Sequence, residues 1–126
     1  MQPTEIINYE YGTIACYDYY LVVVMNQGIT VKPEYNADLV DLAENYFKGR
    51  PFGYITHRKN SYAVDPSVYR ETSKIENLVA FAVVSTKEIT AQTVKVEKMF
   101  LEKPFRLFAE LDEAIAWVLE EVENAK

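Results

Sequence analysis

The sequence predicts a single α/β domain spanning residues 1–126, with helices packed on a mixed β-sheet. Three observations predict it. The first quarter holds three closely spaced runs rich in β-branched and aromatic residues, the mark of an antiparallel meander. From Pro33 onward, helical patterns alternate with short apolar runs, which implies parallel crossover units. A chain of 126 residues with 49% hydrophobic and 25% charged side chains fills one globular core and is too small for two.

The expected strands of the meander are Ile6 to Tyr11, Thr13 to Tyr17 and Tyr20 to Met25, with Gly12 and Asp18 at the turns. Leu21-Val22-Val23-Val24 lacks polar alternation, so that strand should be covered on both faces. Pro33 suits the first turn of a helix whose Tyr35, Leu39, Leu42, Ala43, Tyr46 and Phe47 recur at three- and four-residue spacing. Lys48-Gly49 closes this helix and Pro51 prevents its continuation.

Phe52 to Thr56 reads as a short strand. Asp65-Pro66 then starts a second helix, Asp65 as cap and Pro66 at the first helical position, running to about Ile75. Leu78 to Val84 is an apolar, central strand. Ile89 to Lys103 reads as a helix with a blurred apolar stripe, and Pro104 ends it. Phe105 to Phe108 is the last strand. The final helix sets Leu111, Ile115, Val118, Leu119 and Val122 on one face. The expected order is β-β-β-α-β-α-β-α-β-α.

Composition excludes several classes. A net charge of −6 argues against broad contact with nucleic acid, which needs dense Lys and Arg. The acidity is local, because six acids and one base lie from Ala109 to the end. One cysteine, Cys16, forbids an internal disulfide and a Cys-rich zinc site, and reads as a small buried hydrophobe. His57 is the only histidine, so no histidine-based metal cluster is available. The sequence has no GxGxxG, P-loop or GxSxG motif, and its four glycines leave little for a phosphate cradle. No cofactor and no catalytic constellation is expected. The first residues lack a signal-peptide pattern, and the longest apolar run, Tyr19 to Met25, is too short to span a bilayer. A cytoplasmic protein without integral membrane association is the default expectation.

Chemistry is expected at the corner after Thr56. If the strands at Ile55 and Val83 are parallel neighbours, two loops converge beyond their carboxyl ends, where ligands bind in open α/β sheets. One loop is His57-Arg58-Lys59-Asn60-Ser61, the densest positive charge in the chain, and the other is Ser85-Thr86-Lys87. These residues could bind an anion or an acidic partner near helix N-termini. The plainer alternative is that Arg58 or Lys59 pairs with nearby acids while the short polar residues cap helices.

Three stretches carry a family resemblance: FGYITHRKNSYAVDPSVY (Phe52 to Tyr69), NLVAFAVVS, and PFRLFAELDEAIAWVL (Pro104 to Leu119). They resemble the bacterial SpoIIAA-like proteins, also described as STAS/SEC14-like. With the order of elements, the resemblance covers nearly the whole chain. It implies a STAS-like sheet and a non-enzymatic regulatory or protein-interaction module; the SEC14-like side implies a small-molecule or lipid carrier. In the STAS anti-sigma-factor antagonists, a serine opening a core helix is phosphorylated within an Asp-Ser-Ser-Gly type motif. The nearest match here is Asp65-Pro66-Ser67, where Pro66 replaces the first serine and no glycine follows. The surface expected to meet a regulatory protein is Arg58-Lys59-Asn60-Ser61 with Ser67 and Arg70. The tyrosine-rich first strands could offer an edge for a homodimer.

Overall fold

The structure is a computed structural model that describes residues 2–126. Its main sheet has six strands. β1 (Glu5–Tyr9), β2 (Gly12–Cys16) and β3 (Tyr20–Met25) form the antiparallel meander. β4 (Thr30–Val31) lies outside this sheet and pairs with β6 (Ala63–Val64) in a small parallel sheet. β5 (Phe52–His57) joins β3 in parallel, β7 (Leu78–Val84) joins β5, and β8 (Phe105–Phe108) closes the far edge. The order across the sheet is β1-β2-β3-β5-β7-β8. The expected mixed sheet is therefore present, with β7 in the interior. The observed chain order gains two strands, β4 and β6, which at two residues each are too short to leave a periodic signal.

The helices keep their expected places but not their lengths. A 3₁₀ turn at Pro33–Tyr35 leads into α1 (Asn36–Asp41), which continues as a π-helical turn over Leu42–Tyr46. Lys48 and Gly49 both take positive φ, and the Gly49 N–H donates to the Ala43 carbonyl at 3.3 Å, so the chain leaves the helix where the sequence indicates. α2 (Val68–Thr72) is shorter than expected: its lead-in from Asp65 uses i→i+3 bonds, and it ends before Ile75. α3 (Glu88–Glu97) also stops early. Its buried residues are Thr90, Val94 and Glu97, while Ile89, Val96, Met99 and Phe100 are exposed, which explains the blurred stripe. α4 (Leu111–Asn124) is the long amphipathic helix expected at the end.

The two faces of the sheet are packed differently. On one, Tyr20, Val22, Ile55, Ala80, Ala82 and Val84 meet Ala114, Val118 and Val122 of α4. Small sheet residues let α4 approach closely. A Cβ on Gly53 would lie 2.0 Å from Val118 Cγ1. The other face carries the bulk: Leu21, Val23, Tyr54, Phe81 and Val83 pack beneath α1, α2 and α3. The alternation of Tyr20, Val22 with Leu21, Val23 confirms that β3 is covered on both sides.

Candidate functional site

The register brings the two strand-end loops together. Thr56 pairs with Val83 and His57 with Val84, and the Arg58 N–H donates to the Val84 carbonyl at 3.0 Å. Past β7, Ser85 holds its own turn: its hydroxyl accepts the Lys87 N–H at 3.1 Å and donates to Thr90 Oγ1 at 3.0 Å. The convergence expected from the sequence is present. Its residues, however, point in different directions.

Arg58 turns inward. Its side chain is only 10% exposed, and Nη2 donates to Glu97 Oε1 of α3 at 2.6 Å, with the Glu97 side chain 7% exposed. The guanidinium also stands 5.5 Å from the centre of the Tyr62 ring. The buried Tyr69 hydroxyl donates to the same Glu97 oxygen. Two atoms of this ion pair lack partners among the described residues, Arg58 Nε and Glu97 Oε2. The pair is therefore held through one arm of the guanidinium fork.

Asn60 and Ser61 tie their loop to the segment after β3. Asn60 Nδ2 donates to the Met25 carbonyl, the Ser61 N–H to Gln27 Oε1, and the Gly28 N–H to the Ser61 carbonyl. Lys59 is exposed and His57 half-buried. Ser67 is exposed in front of α2, where its N–H and hydroxyl both donate to Asp65 Oδ1, at 3.0 and 2.7 Å. Asp65 thus braces the turn in front of α2, while the cap position itself is Ser67 and not the Asp65 expected from the sequence, because the helix starts only at Val68. Of the residues singled out at the sequence level, His57 to Ser61, Ser67, Arg70 and Ser85 to Lys87, Arg58 alone lines the cavity described next.

That cavity lies between the bulky face of the sheet and α1–α2. Tyr54, Thr56 and Phe81 line it from the sheet, Asn36 and Leu39 from α1, and Val68, Tyr69 and Thr72 from α2. Its half-buried lining residues, Tyr35, Tyr62 and Val64, mark where it reaches solvent. The cavity has a volume of about 50 Å³ and is open to solvent on one side. That is room for a few waters, and about a third of the roughly 150 Å³ that holds benzene. Several polar groups of the wall are already satisfied. Tyr11 donates to Asp38, Thr72 Oγ1 to Asn36 Oδ1, Asn36 Nδ2 to the Val68 carbonyl, and Thr56 and Tyr62 share a hydrogen bond.

The electrostatics follow from burial. Desolvation works against the Arg58 charge, but the Glu97 hydrogen bond outweighs it together with nearby charge effects, so the guanidinium stays firmly protonated. Burial, then the Glu97 charge, pushes the Tyr69 phenol well above its usual value, and burial does the same to Tyr54. Tyr11 is raised by burial and by its bond to Asp38. His57 is lowered, by burial first and then by Lys59. The cavity wall therefore holds one fixed cation, already paired with Glu97, beside the neutral phenols of Tyr11, Tyr54 and Tyr69.

Glu97 and the tyrosines are the site residues that sequence reasoning missed. A faint signal existed: Thr90, Val94 and Glu97 fall at four- and three-residue spacing and form the buried face of α3. A search for apolar periodicity passes over a face made of a threonine, a valine and a glutamate.

No family model matches the sequence, and no curated protein does. Among solved structures, the chain is similar to the crystal structure of an uncharacterized protein from the DUF3478 family with a SpoIIAA-like fold, from Shewanella loihica PV-4. The match has a TM-score of 0.54 at 13% identity and covers 90% of each chain. The fold is SpoIIAA-like, as the resemblance implied. Among the described residues, no helix is long and apolar enough to cross a membrane, and no cluster of His, Cys, Asp and Glu could hold a metal ion.

Proposed function

We propose that this chain is a non-catalytic binding module, and that its ligand is a small molecule held in the tyrosine-lined cavity. One observation carries the reading: a cavity walled by aromatic and aliphatic side chains that nevertheless has Arg58, its side chain nine-tenths buried, in its lining. Burying a charge carries a desolvation penalty of several kcal/mol, and a half-satisfied pair recovers less of it than a complete one. Structural economy alone would favour an apolar residue there. The modest volume of about 50 Å³ supports a small ligand over a lipid tail. Protein-observed NMR against a fragment library tests this. Saturable shifts confined to Tyr54, Thr56, Tyr62 and Val68 are expected; binders that move surface residues alone would overturn the reading.

A second reading, a module that docks a regulatory protein, is favoured by a groove outside the cavity. Between α2 and the turn after α3, Ser67, Arg70 and Lys74 lie beside Met99, Phe100 and Glu102, with Met99 80% exposed and Lys74 paired to Glu71 at 3.2 Å. Arg70 next to exposed apolar side chains suits a segment with an apolar anchor and an acidic neighbour. Pull-down with the native chain and with an Arg70→Glu/Lys74→Glu variant tests it. The reading requires a partner that the variant loses, and identical captures from both would sink it.

A further inference from the structure

Resting on the docking reading above, we infer that the whole helical face is an interface and that its occupant is a second copy of this chain. The crossovers set α1, α2 and α3 side by side over the bulky face of the sheet, with α2 in the middle. Lys74 of the turn after α2 borders the grooves on both sides. The groove toward α1 has a volume of about 560 Å³. Ala37, Val40, Ala43 and Ile75 give it an apolar lining, and Glu34, Glu44, Glu71 and Glu76 stand around them. The positive charge of Lys74 is already spent on Glu71, at 3.2 Å. This side of α2 is acidic.

The other side has the opposite character. Toward the end of α3 and just beyond it, Lys95 and Lys98 are exposed and Lys103 is half-buried, with Glu102 offsetting one of them. At the start of the helix Lys87 and Glu88 cancel. Beside these lysines stand Met99, 80% exposed, and Phe100, 47% exposed, apolar side chains that the fold leaves uncovered. A chain of net charge −6 thus carries a basic, apolar ridge on one side of α2 and an acidic, apolar groove on the other. Complementary patches of this kind fix register and partner choice. A two-fold axis running along α2, in the plane of contact, lays each copy's α3 ridge over the other's α1–α2 groove. Met99, whose unbranched side chain adapts to irregular gaps, then meets the apolar lining while Lys95 and Lys98 meet the glutamates. α2 lies at the axis with Arg70, Glu71 and Lys74 exposed, a mixed set that opposes no block of like charge to its copy. The contact closes in two identical halves, the arrangement commonest among soluble oligomers.

The test is sedimentation velocity of the full chain and of two charge-reversed variants, all changed at exposed positions that leave the core untouched. The native chain is expected to dimerise at about 100 μM in about 0.05 M salt and to dissociate as salt approaches about 0.5 M. Lys95→Glu/Lys98→Glu and Glu44→Lys/Glu76→Lys should each be monomeric, because like charges then meet in both halves of the contact. Mixed in equal amounts, the two variants should pair with each other, since opposite charges face again on both sides of the axis. Circular dichroism checks that each variant is folded. A native chain that stays monomeric, a dimer that both reversals leave intact, or folded variants that fail to pair when mixed would overturn the inference. A dimer indifferent to both reversals would move the contact elsewhere, such as the β1 edge. A monomer leaves the partner-protein reading standing, and the Arg70→Glu/Lys74→Glu pull-down decides that reading by itself.

Discussion

Val118 of α4 stands directly over Gly53 of β5, its Cγ1 2.0 Å from the point where a Cβ would project. Both residues belong to the tightly packed side of the sheet, where Val118 is fully buried between Ile55, Ala80 and Ala82. The absent side chain at 53 sets the distance between helix and sheet.

Gly53→Ala should therefore destabilise the protein by about 1–3 kcal/mol, the range for overpacking a well-filled core. Adding Val118→Ala removes the offending methyls and should recover part of the loss, although that change alone is destabilising. Urea denaturation of the two single variants and the double variant measures the coupling. Strict additivity would refute close packing at this point.

Breaking the Arg58–Glu97 pair from one side leaves an uncompensated charge. Arg58→Met is expected to cost about 3–5 kcal/mol, whereas Arg58→Met/Glu97→Met should cost much less and can even stabilise. Both side chains are at least nine-tenths buried, so solvent screening does little to soften this contrast. Chemical denaturation of the three proteins checks it, and a double variant worse than the single one would contradict it.

His57 makes stability depend on pH in a defined direction. Its folded value lies below the usual 6.5, through burial and then Lys59, so folding favours the neutral ring. Its stability contribution is present above 6.5 and is lost as pH falls through the folded value. Because the chain has a single histidine, one imidazole resonance should titrate with a midpoint below 6.5. His57→Gln should flatten the stability profile in that acid window.

Cys16 should be chemically silent in the native state. It is fully buried in β2, and burial, with a smaller effect of Glu5, pushes its thiol up to about 11. Thiolate is the reactive form, so alkylation by iodoacetamide near about pH 8 should follow unfolding. Mass spectrometry with and without urea reads this directly, and rapid labelling without denaturant would contradict it.

The sheet was legible because its strands carry strong, uninterrupted signals. Leu21 to Val24 and Leu78 to Val84 can hardly be anything else, and the crossover pattern orders them. Boundaries were less legible where tertiary contacts override local preference. α2 stops at Thr72 although favourable residues continue, and α3 shows solvent much of its apolar surface. The site was legible only at Arg58. Asn60 and Ser61 look like ligand groups in the sequence, yet they bond to Met25 and Gln27, some 34 or 35 residues earlier. Glu97 lies 39 residues beyond Arg58, and no local pattern announces a pairing over that distance.

The placement of α4 has a consequence for synthesis. Five of the six strands are complete by Val84, yet the surface formed by Tyr20, Val22, Ile55 and Ala82 is covered only by residues from Ala114 to Val122. While the chain is emerging, the sheet carries one closed side and one bare apolar side. A nascent chain halted before Ala114 is thus a sticky, half-clad sheet, and a quality-control protease or chaperone that recognises exposed aliphatic surface would find its target there.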